Sequence, residues 1–227
     1  MTAPALELTG VTKSYGALRP LRVAELVLGA GDQIALLGLD QPAAEVLINL
    51  VTGASLPDAG EIRIFGRPTT AIENSDEWLM LLDRFGIVSE RAALLDSMTV
   101  IQNMAVPFSL EIEPPSSETI RQAGTLATEV GLPAPTWEQQ VSQLDPISRL
   151  RLRLGRALAF NPSVLLLEHP SATLPRSQVV PCGVQLRWIA ERRNLAMLTI
   201  TADAEFAGAV SASAFALEAA TGRFTRL

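Results

Sequence analysis

The chain has 227 residues, of which 48% are hydrophobic and 19% charged, with a formal net charge of −6 and a pI near 4.9. The acidic balance argues against broad nucleic-acid binding, and the single cysteine, Cys182, excludes an internal disulfide or a cysteine-based metal cluster. No apolar run reaches the roughly 18–20 residues that span a bilayer, and no signal peptide opens the sequence, so we expect a soluble, unexported domain.

The first elements are strands. Residues 5–11 alternate between apolar and polar and predict an edge strand, and Leu21 to Leu28 predicts a second. A turn at 30–32 leads into a buried strand, Ile34 to Leu37, and then into a loop that begins at Gly38. Apolar residues at helical spacing follow over 46–51. A strand, a glycine loop and a helix are the frame of a phosphate-binding P-loop.

The residues in this frame do not match the chemistry of a P-loop, whose pattern is G-x-x-x-x-G-K-[ST]. Counted from Gly38, the second glycine, the lysine and the hydroxyl residue are replaced by Ala43, Ala44 and Glu45. Pro42 removes a backbone donor, and Glu45 adds negative charge at a helix N-terminus, where an anion would otherwise be stabilised.

Cations are also scarce around this loop. Lys13 is the only lysine and lies before the central strand, while the other seventeen basic residues are arginines. No arginine lies between Arg22 and Arg63, so we expect that arginine cannot replace the lysine from this loop.

The remaining chain alternates helices and strands. We predict, in order, a strand at 61–65, a short helix at 76–85, a strand and loop from 86, a helix at 118–130 capped by Ser116 or Ser117, a helix at 148–160, a buried parallel strand from 163, a helix at 178–192, a strand at 195–201 and a closing hairpin around Gly222. Arg149, Arg153 and Arg156 share one face of the 148–160 helix, which is either solvated or faces a partner.

A family resemblance is carried by the opening strand at 5–11, TKSYG at 12–16, GDQIALLG at 31–38, Gly53, and PDAGEIRIFG at 57–66. Together they resemble the nucleotide-binding subunit of ABC transporters. The resemblance implies an α/β, P-loop NTPase-like ABC ATPase fold with a mixed central sheet, an antiparallel β edge subdomain and a helical subdomain. It implies one domain, 1–227, with a core and β edge at about 1–90 and 160–227 and a helical subdomain at about 91–159.

The resemblance also assigns positions to the nucleotide. The nucleotide-site equivalents are Tyr15, which would stack on adenine or simply cap a strand end, and Gly38, Gln41, Ala43, Ala44, Glu45 and Val46. The Q-loop glutamine is replaced by Glu90. The signature that grips the γ-phosphate of an opposite subunit is replaced by Leu144, Asp145, Pro146, Ile147 and Ser148. Asp145 and Pro146 suit an N-cap and a first helical turn, but not a phosphate grip.

The catalytic positions differ as well. Glu168 and His169 replace the Walker B aspartate and glutamate, and Ala202 replaces the switch histidine. Histidine titrates near neutral pH, so His169 is either a general base or a residue without a catalytic role. Taken with the missing cation, these changes favour a degenerate, non-hydrolysing subunit, because catalysis by this fold depends on positioning and neutralising phosphates.

The resulting expectations are a structural or regulatory role in an ABC transport system, with no catalytic residue, no metal and no required cofactor. Two alternatives stay open: a divergent ATPase that uses Glu168 and His169 with ATP and Mg²⁺, and a nucleotide-binding module without hydrolysis. The expected partners are an ABC permease, an intact ABC ATPase subunit or a second copy in a homodimer, without nucleic acid or direct membrane insertion. The location would be cytoplasmic, peripheral to the inner membrane through a partner. The wording of 93–108 looks most like subunits of phospholipid-trafficking (Mla or MCE type) systems.

Overall fold

The computed structural model describes residues 3–227, which form two β-sheets and seven α-helices. The strands are β1 (Leu6–Lys13), β2 (Leu21–Leu28), β3 (Gln33–Leu37), β4 (Ala59–Ile64), β5 (Arg67–Pro68), β6 (Phe85–Val88), β7 (Val164–Glu168), β8 (Ala196–Ile200), β9 (Ser213–Glu218) and β10 (Arg223–Arg226). The α-helices are α1 (Gln41–Val51), α2 (Ser75–Leu82), α3 (Val100–Ala105), α4 (Ser117–Glu129), α5 (Pro146–Leu158), α6 (Arg176–Arg193) and α7 (Ala204–Val210).

The smaller sheet is antiparallel, with the strand order β2-β1-β4-β5. Leu6 is paired with Leu28 on one side and with Ile64 on the other. The prediction of an edge strand at 5–11 is therefore wrong, because β1 lies inside this sheet. Its alternating pattern did not distinguish the two cases, since an inner antiparallel strand can also have one buried and one exposed face.

The larger sheet has the order β10-β9-β3-β8-β7-β6 and is parallel except for the β9–β10 hairpin. Every residue of β7 and β8 is buried. Parallel strands covered on both faces are mostly apolar, which explains the nearly continuous hydrophobic runs in the sequence, where Glu168 and Thr199 are the polar members. The predicted central strands and the closing hairpin are confirmed, as is the mixed α/β fold.

The two faces of the larger sheet contribute to two cores. Leu165 and Leu167 of β7 pack with α3 to α7, whereas Val164 and Leu166 pack with α1 and the smaller sheet. This division follows from the alternation of side chains along a strand. Helices α3, α4 and α5 all lie within 91–159, and the division into a core and a helical subdomain stays a prediction. Among residues 3–227, none of the helices has the length and apolar composition that crossing a membrane requires.

An ion pair joins the ends of three helices. Arg193, at the end of α6, donates from Nε and Nη2 to the two carboxylate oxygens of Glu129 in α4, at 2.7 and 2.6 Å. The same guanidinium donates to the carbonyl of Leu158 at the end of α5, at 3.3 Å. These hydrogen bonds hold the pKa of Glu129 below its usual value, against the opposing effect of burial.

We predict that Glu129→Gln lowers the free energy of unfolding at neutral pH by about 1–3 kcal/mol, the usual contribution of hydrogen bonds to a charged group. Glu191→Gln, which loses only an exposed pair with Arg187 within α6, is the control and should change stability by under about 0.5 kcal/mol. Because the folded-state pKa of Glu129 is lowered, its contribution is present above the unfolded-state pKa and disappears as the pH falls through the folded-state value. Denaturant unfolding at pH 7 and pH 3 measures both effects, and equal losses at the two pH values would contradict the assignment.

Candidate functional site

The candidate site lies at the carboxyl ends of β3, β7 and β8, the edge at which parallel α/β sheets usually bind ligands. The backbone N–H of His169 donates to the carbonyl of Ile200 at 2.8 Å, and that of Thr201 donates to Leu36 at 3.0 Å. These contacts bring the residues that follow the three strands to one place. The site positions predicted near Gly38, Glu168 and Ala202 therefore share this edge.

The loop after β3 is short and tight. Gly38 has a φ of +89°, and a Cβ atom there would lie 2.9 Å from the carbonyl oxygen of Leu217, so glycine is required. Helix α1 begins at Gln41, and the Asp40 side chain caps it by accepting the N–H of Ala43 at 2.9 Å. A carboxylate of the chain itself therefore takes a donor that a helix N-terminus could offer to an anion.

Two further helix starts at this edge and in the signature region have the same type of cap. The Asp145 carboxylate accepts the N–H of Ser148 at 2.7 Å at the start of α5, which confirms the predicted N-cap. The Asp203 carboxylate accepts the N–H groups of Glu205 and Phe206 at 3.0 and 3.1 Å at the start of α7. Negative charge is thus already present at the helix start of the signature position, to which the resemblance assigns a phosphate contact, and next to Ala202 at the position of the switch histidine.

The position of the P-loop lysine is apolar and closed. Ala44 is fully buried in the core between the two sheets, and Ala43 is nearly so. Lys13, the only lysine in the sequence, lies on β1, where its ammonium contacts the Asp58 carboxylate at 3.0 Å and the Leu56 carbonyl at 2.8 Å. Its charge is therefore engaged outside the loop.

Arg91, which sequence reasoning missed, lies between two of the predicted site carboxylates. Its guanidinium donates to Glu168 from Nη2 at 2.7 Å and from Nε at 3.3 Å, while Nη1 lies 3.0 Å from Oε1 of Glu45. The Glu168 side chain has no exposed surface, and its Oε1 also accepts the amide of Gln41. These hydrogen bonds to Glu168 hold the pKa of Arg91 above its usual value, so the cation is permanent.

The prediction that no arginine of the loop itself replaces the lysine is not contradicted, because Arg91 lies outside the loop. Arg91 binds Glu45 and Glu168 from the segment after the neighbouring strand β6, 77 residues from Glu168. No local sequence pattern reveals the contact, since it depends on the strand order.

The arginine face of α5 also differs from both predicted alternatives. Arg153 is buried and donates to the carboxylate oxygens of Glu90 from Nη1 and Nη2 at 2.9 and 2.8 Å. Arg156 donates to the carbonyl of Ala93 at 2.7 Å, and Arg149 pairs with Asp96 at 3.0 Å. These arginines are neither a freely solvated face nor a free basic stripe, because each binds the segment 90–96.

His169 borders a cavity of about 440 Å³ together with Thr201, Ala202 and Asp203. Its φ of +44° is unusual for a residue other than glycine. Its Nε2 atom is buried and has no hydrogen-bond partner among the described residues. Thus His169 and Ala202 share one cavity, while Glu168 is directed to Arg91.

Tyr15 lines a second and smaller cavity of about 160 Å³, which Gly38, Asp40 and Ala43 also border. Burial, and to a smaller extent the charge of Asp40, raise the pKa of the Tyr15 hydroxyl. The cavity adjoins the loop after β3. It contains Tyr15, the residue to which the resemblance assigns stacking on adenine.

These residues do not fit a Mg²⁺–nucleotide complex. Glu45 and Glu168 stand at the positions that the resemblance assigns to metal contacts, and the guanidinium of Arg91 lies between them. The phosphate side is likewise occupied by the Asp40 carboxylate.

Comparisons with known proteins agree with this architecture. A family model described as ABC transporter matches residues 21–172. The chain is 29% identical over 208 residues to the sulfate/thiosulfate import ATP-binding protein CysA of Methylococcus capsulatus, covering 88% of this chain but 57% of that protein. It is 26% identical over 210 residues to the lipoprotein-releasing system ATP-binding protein LolD of Alcanivorax borkumensis, covering 91% of each. The chain thus spans a little over half the length of the import proteins that it matches.

Two solved structures share the fold. A dimeric bacterial ABC transporter cassette matches with a TM-score of 0.79 at 20% identity, with 98% of each chain covered. The cbiO1 protein of Clostridium perfringens, part of the ABC transporter complex cbiONQ, matches with a TM-score of 0.81 at 18% identity, covering 98% of this chain and 87% of that one. At these identities the likeness shows the fold alone. Because the family model covers more than half of the sequence, the chain belongs to the ABC transporter ATPase (nucleotide-binding) family.

Proposed function

We propose that this chain is a non-hydrolysing member of its family, with a structural or regulatory role in an ABC transport system. One observation carries the proposal: at the helix start where this family would bind phosphate, the Asp40 carboxylate accepts the N–H of Ala43, and the buried Ala44 stands at the lysine position. An incoming phosphate would have to displace a capping carboxylate and remain beside its negative charge. Both effects oppose binding.

The second half of an ABC site supports the same conclusion. In the family the signature of one subunit meets the phosphate loop of the other. Asp145 caps α5 at the signature position, and Pro146 removes one backbone donor. A homodimer would therefore combine two defective halves, and a pair with an intact ATPase would leave both sites incomplete. A role in holding a dimer or a permease in shape requires neither site.

The unpartnered Nε2 atom of His169 favours one rival, a divergent ATPase in which His169 acts as a general base. The adjacent cavity has room for a ligand. Against this rival, the neighbouring Glu168 carboxylate is bound by Arg91 and is not free to hold a metal ion. A module that binds adenine nucleotide through Tyr15 without cleaving it is the other alternative, because Tyr15 lines a cavity at the loop.

The proposed partner is a membrane permease or an intact ABC ATPase, which would keep the chain at the inner membrane as a peripheral, cytoplasmic subunit. In the family, the region equivalent to 94–108 docks a cytoplasmic helix of the permease. Here a groove of about 270 Å³ borders the end of this region. Ala92, Val106, Pro107 and Phe160 line it together with the two arginines Arg153 and Arg156. Phe160 is 62% exposed, so an apolar contact is available at the edge of the groove.

The cargo belongs to the proposal as well. The relatives are named for sulfate/thiosulfate import, methionine import and lipoprotein release, so similarity does not select one cargo. The amino-acid sequence of 93–108 resembles that of phospholipid-trafficking subunits, and on this basis we propose lipid trafficking.

We predict that ATP with Mg²⁺ shows no saturable binding to the wild-type protein below about 1 mM, the weak end of the affinity scale. Calorimetric titration measures this binding, and phosphate release measures turnover in parallel. The control is His169→Ala, for which both readouts should be unchanged. Turnover in the wild type that disappears in His169→Ala would establish the rival ATPase. Saturable binding without turnover would support the nucleotide-binding module.

We predict that the tagged protein, purified from its native host, recovers an ABC permease or an intact ABC ATPase. Phe160→Asp should reduce permease recovery at least about fivefold, because it replaces the exposed aromatic contact at the edge of the groove with a charged group. The control is Val184→Asp on α6, where the side chain is 54% exposed and lies outside the groove. Quantitative mass spectrometry measures recovery. If neither partner is recovered, the proposed role fails, and equal losses in both variants would remove the groove from it.

A further inference from the structure

The most unusual charged cluster of the molecule is the contact of Arg91 with Glu45 and Glu168. We propose that the Arg91 guanidinium is the resident cation of this site, taking the place of a divalent metal, and that it fastens the loop after β6 to the core without any ligand. This inference deepens the proposed non-hydrolysing function and rests on it. Arg91 belongs to none of the motif positions to which the resemblance assigns a role.

Each of the three guanidinium nitrogens of Arg91 has a carboxylate partner in the cluster. Nε and Nη2 bind the two oxygens of Glu168, at 3.3 and 2.7 Å, and Nη1 contacts Glu45 at 3.0 Å. Such a fork matches carboxylate geometry and fixes direction as well as charge. The Gln41 amide completes the partners of Glu168. A fully buried carboxylate needs such partners, because an unpaired buried charge is strongly unfavourable.

The groups around Arg91 are the ones that a hard divalent cation would use. Removal of the guanidinium leaves two carboxylates, on α1 and at the end of β7, with the side-chain amide of Gln41 next to them. Carboxylate and amide oxygens suit Mg²⁺ and Mn²⁺, which accept water for their remaining positions. The arginine supplies one positive charge where a metal would supply two, and it cannot dissociate.

Glu90, the residue before Arg91, binds helix α5 and not the α1–β7 side of the site. Glu90 accepts two hydrogen bonds from Arg153 of α5, whose side chain is only 8% exposed. Arg156 of α5 binds the carbonyl of Ala93 at 2.7 Å. The segment 90–93 is therefore fastened to α5 on one side and to α1 and β7 on the other. We name this segment and its arginine contacts the clasp.

The clasp makes the position of segment 90–93 independent of bound nucleotide. A loop held by a metal and a nucleotide would lose these contacts when the two ligands leave. In this chain both anchors are covalent parts of the protein, and Ser89 Oγ accepts the Arg91 N–H at 3.1 Å to fix the turn between them. The proposed clasp thus holds one arrangement whether or not nucleotide is present.

The test uses the full chain without nucleotide. Thermal unfolding and electron paramagnetic resonance of free Mn²⁺ are measured for the wild type and Arg91→Ala, in EDTA and in MnCl₂. In EDTA, Arg91→Ala should lower the Tm by about 6–15 °C, because it leaves a buried carboxylate unpaired. At ten times its Kd, Mn²⁺ should restore about 3–5 °C in this variant and change the wild type by under about 1 °C.

Three variants make the outcome specific. Arg149→Ala, which frees the single carboxylate of Asp96, is the matched control and should gain no Mn²⁺ binding. Adding Glu45→Ala to Arg91→Ala should abolish the gained binding. If Arg91→Ala does not fold, Arg91→Gln keeps hydrogen bonds to Glu168 without the charge and should also gain Mn²⁺ binding.

The proposal is overturned if the wild type binds Mn²⁺ as tightly as the variants, or if neither Arg91→Ala nor Arg91→Gln gains binding. Hydrogen exchange tests the clasp separately: amides of 89–93 should exchange at least about tenfold faster in Arg91→Ala, and unchanged exchange would remove the clasp. These readouts contain no nucleotide. ATP turnover by the wild type would therefore contradict the proposed function without altering the metal result, so the two failures are distinguishable.

Discussion

A carboxylate without exposed surface needs hydrogen-bond donors or a cation as partners. In this molecule the carboxylate in question is that of Glu168, at the end of β7. Its strand lies between β6 and β8 in the larger sheet. The partner has to come from a neighbouring element. Arg91, in the loop after the adjacent strand β6, supplies it, and Glu45 at the start of α1 takes the remaining guanidinium nitrogen. Strand order thus determines which residues form the site.

Hydrogen-bond donors at helix starts need partners just as a buried carboxylate does. Backbone N–H groups at helix starts require acceptors, and Asp40, Asp145 and Asp203 provide them from within the chain. A family member that handles ATP would leave such groups for phosphate, and its carboxylates for metal. In this chain, internal side chains satisfy both sets. This shared feature links the proposed loss of hydrolysis to the proposed role of Arg91.

The sequence predicted what depends on neighbours along the chain. The apolar runs of β3, β7 and β8, the helix after Gly38 and the cap at Asp145 were all predicted, because periodicity and capping are short-range effects. The interior place of β1 was not predicted, since its alternation suits two positions in an antiparallel sheet. Neither were the contacts of Arg91 and Arg153, whose partners are 77 and 63 residues away. Those pairings depend on the packing of the whole sheet, which periodicity does not encode.

The buried alanine at position 44 limits what a single substitution can change at this site. Ala44 has no exposed surface, so a lysine introduced there would first have to fit a packed core. Asp40 and Arg91, in turn, now support the helix start and the strand end that surround it. A single Ala44→Lys substitution would therefore have to displace core side chains before its ammonium could reach the loop after β3.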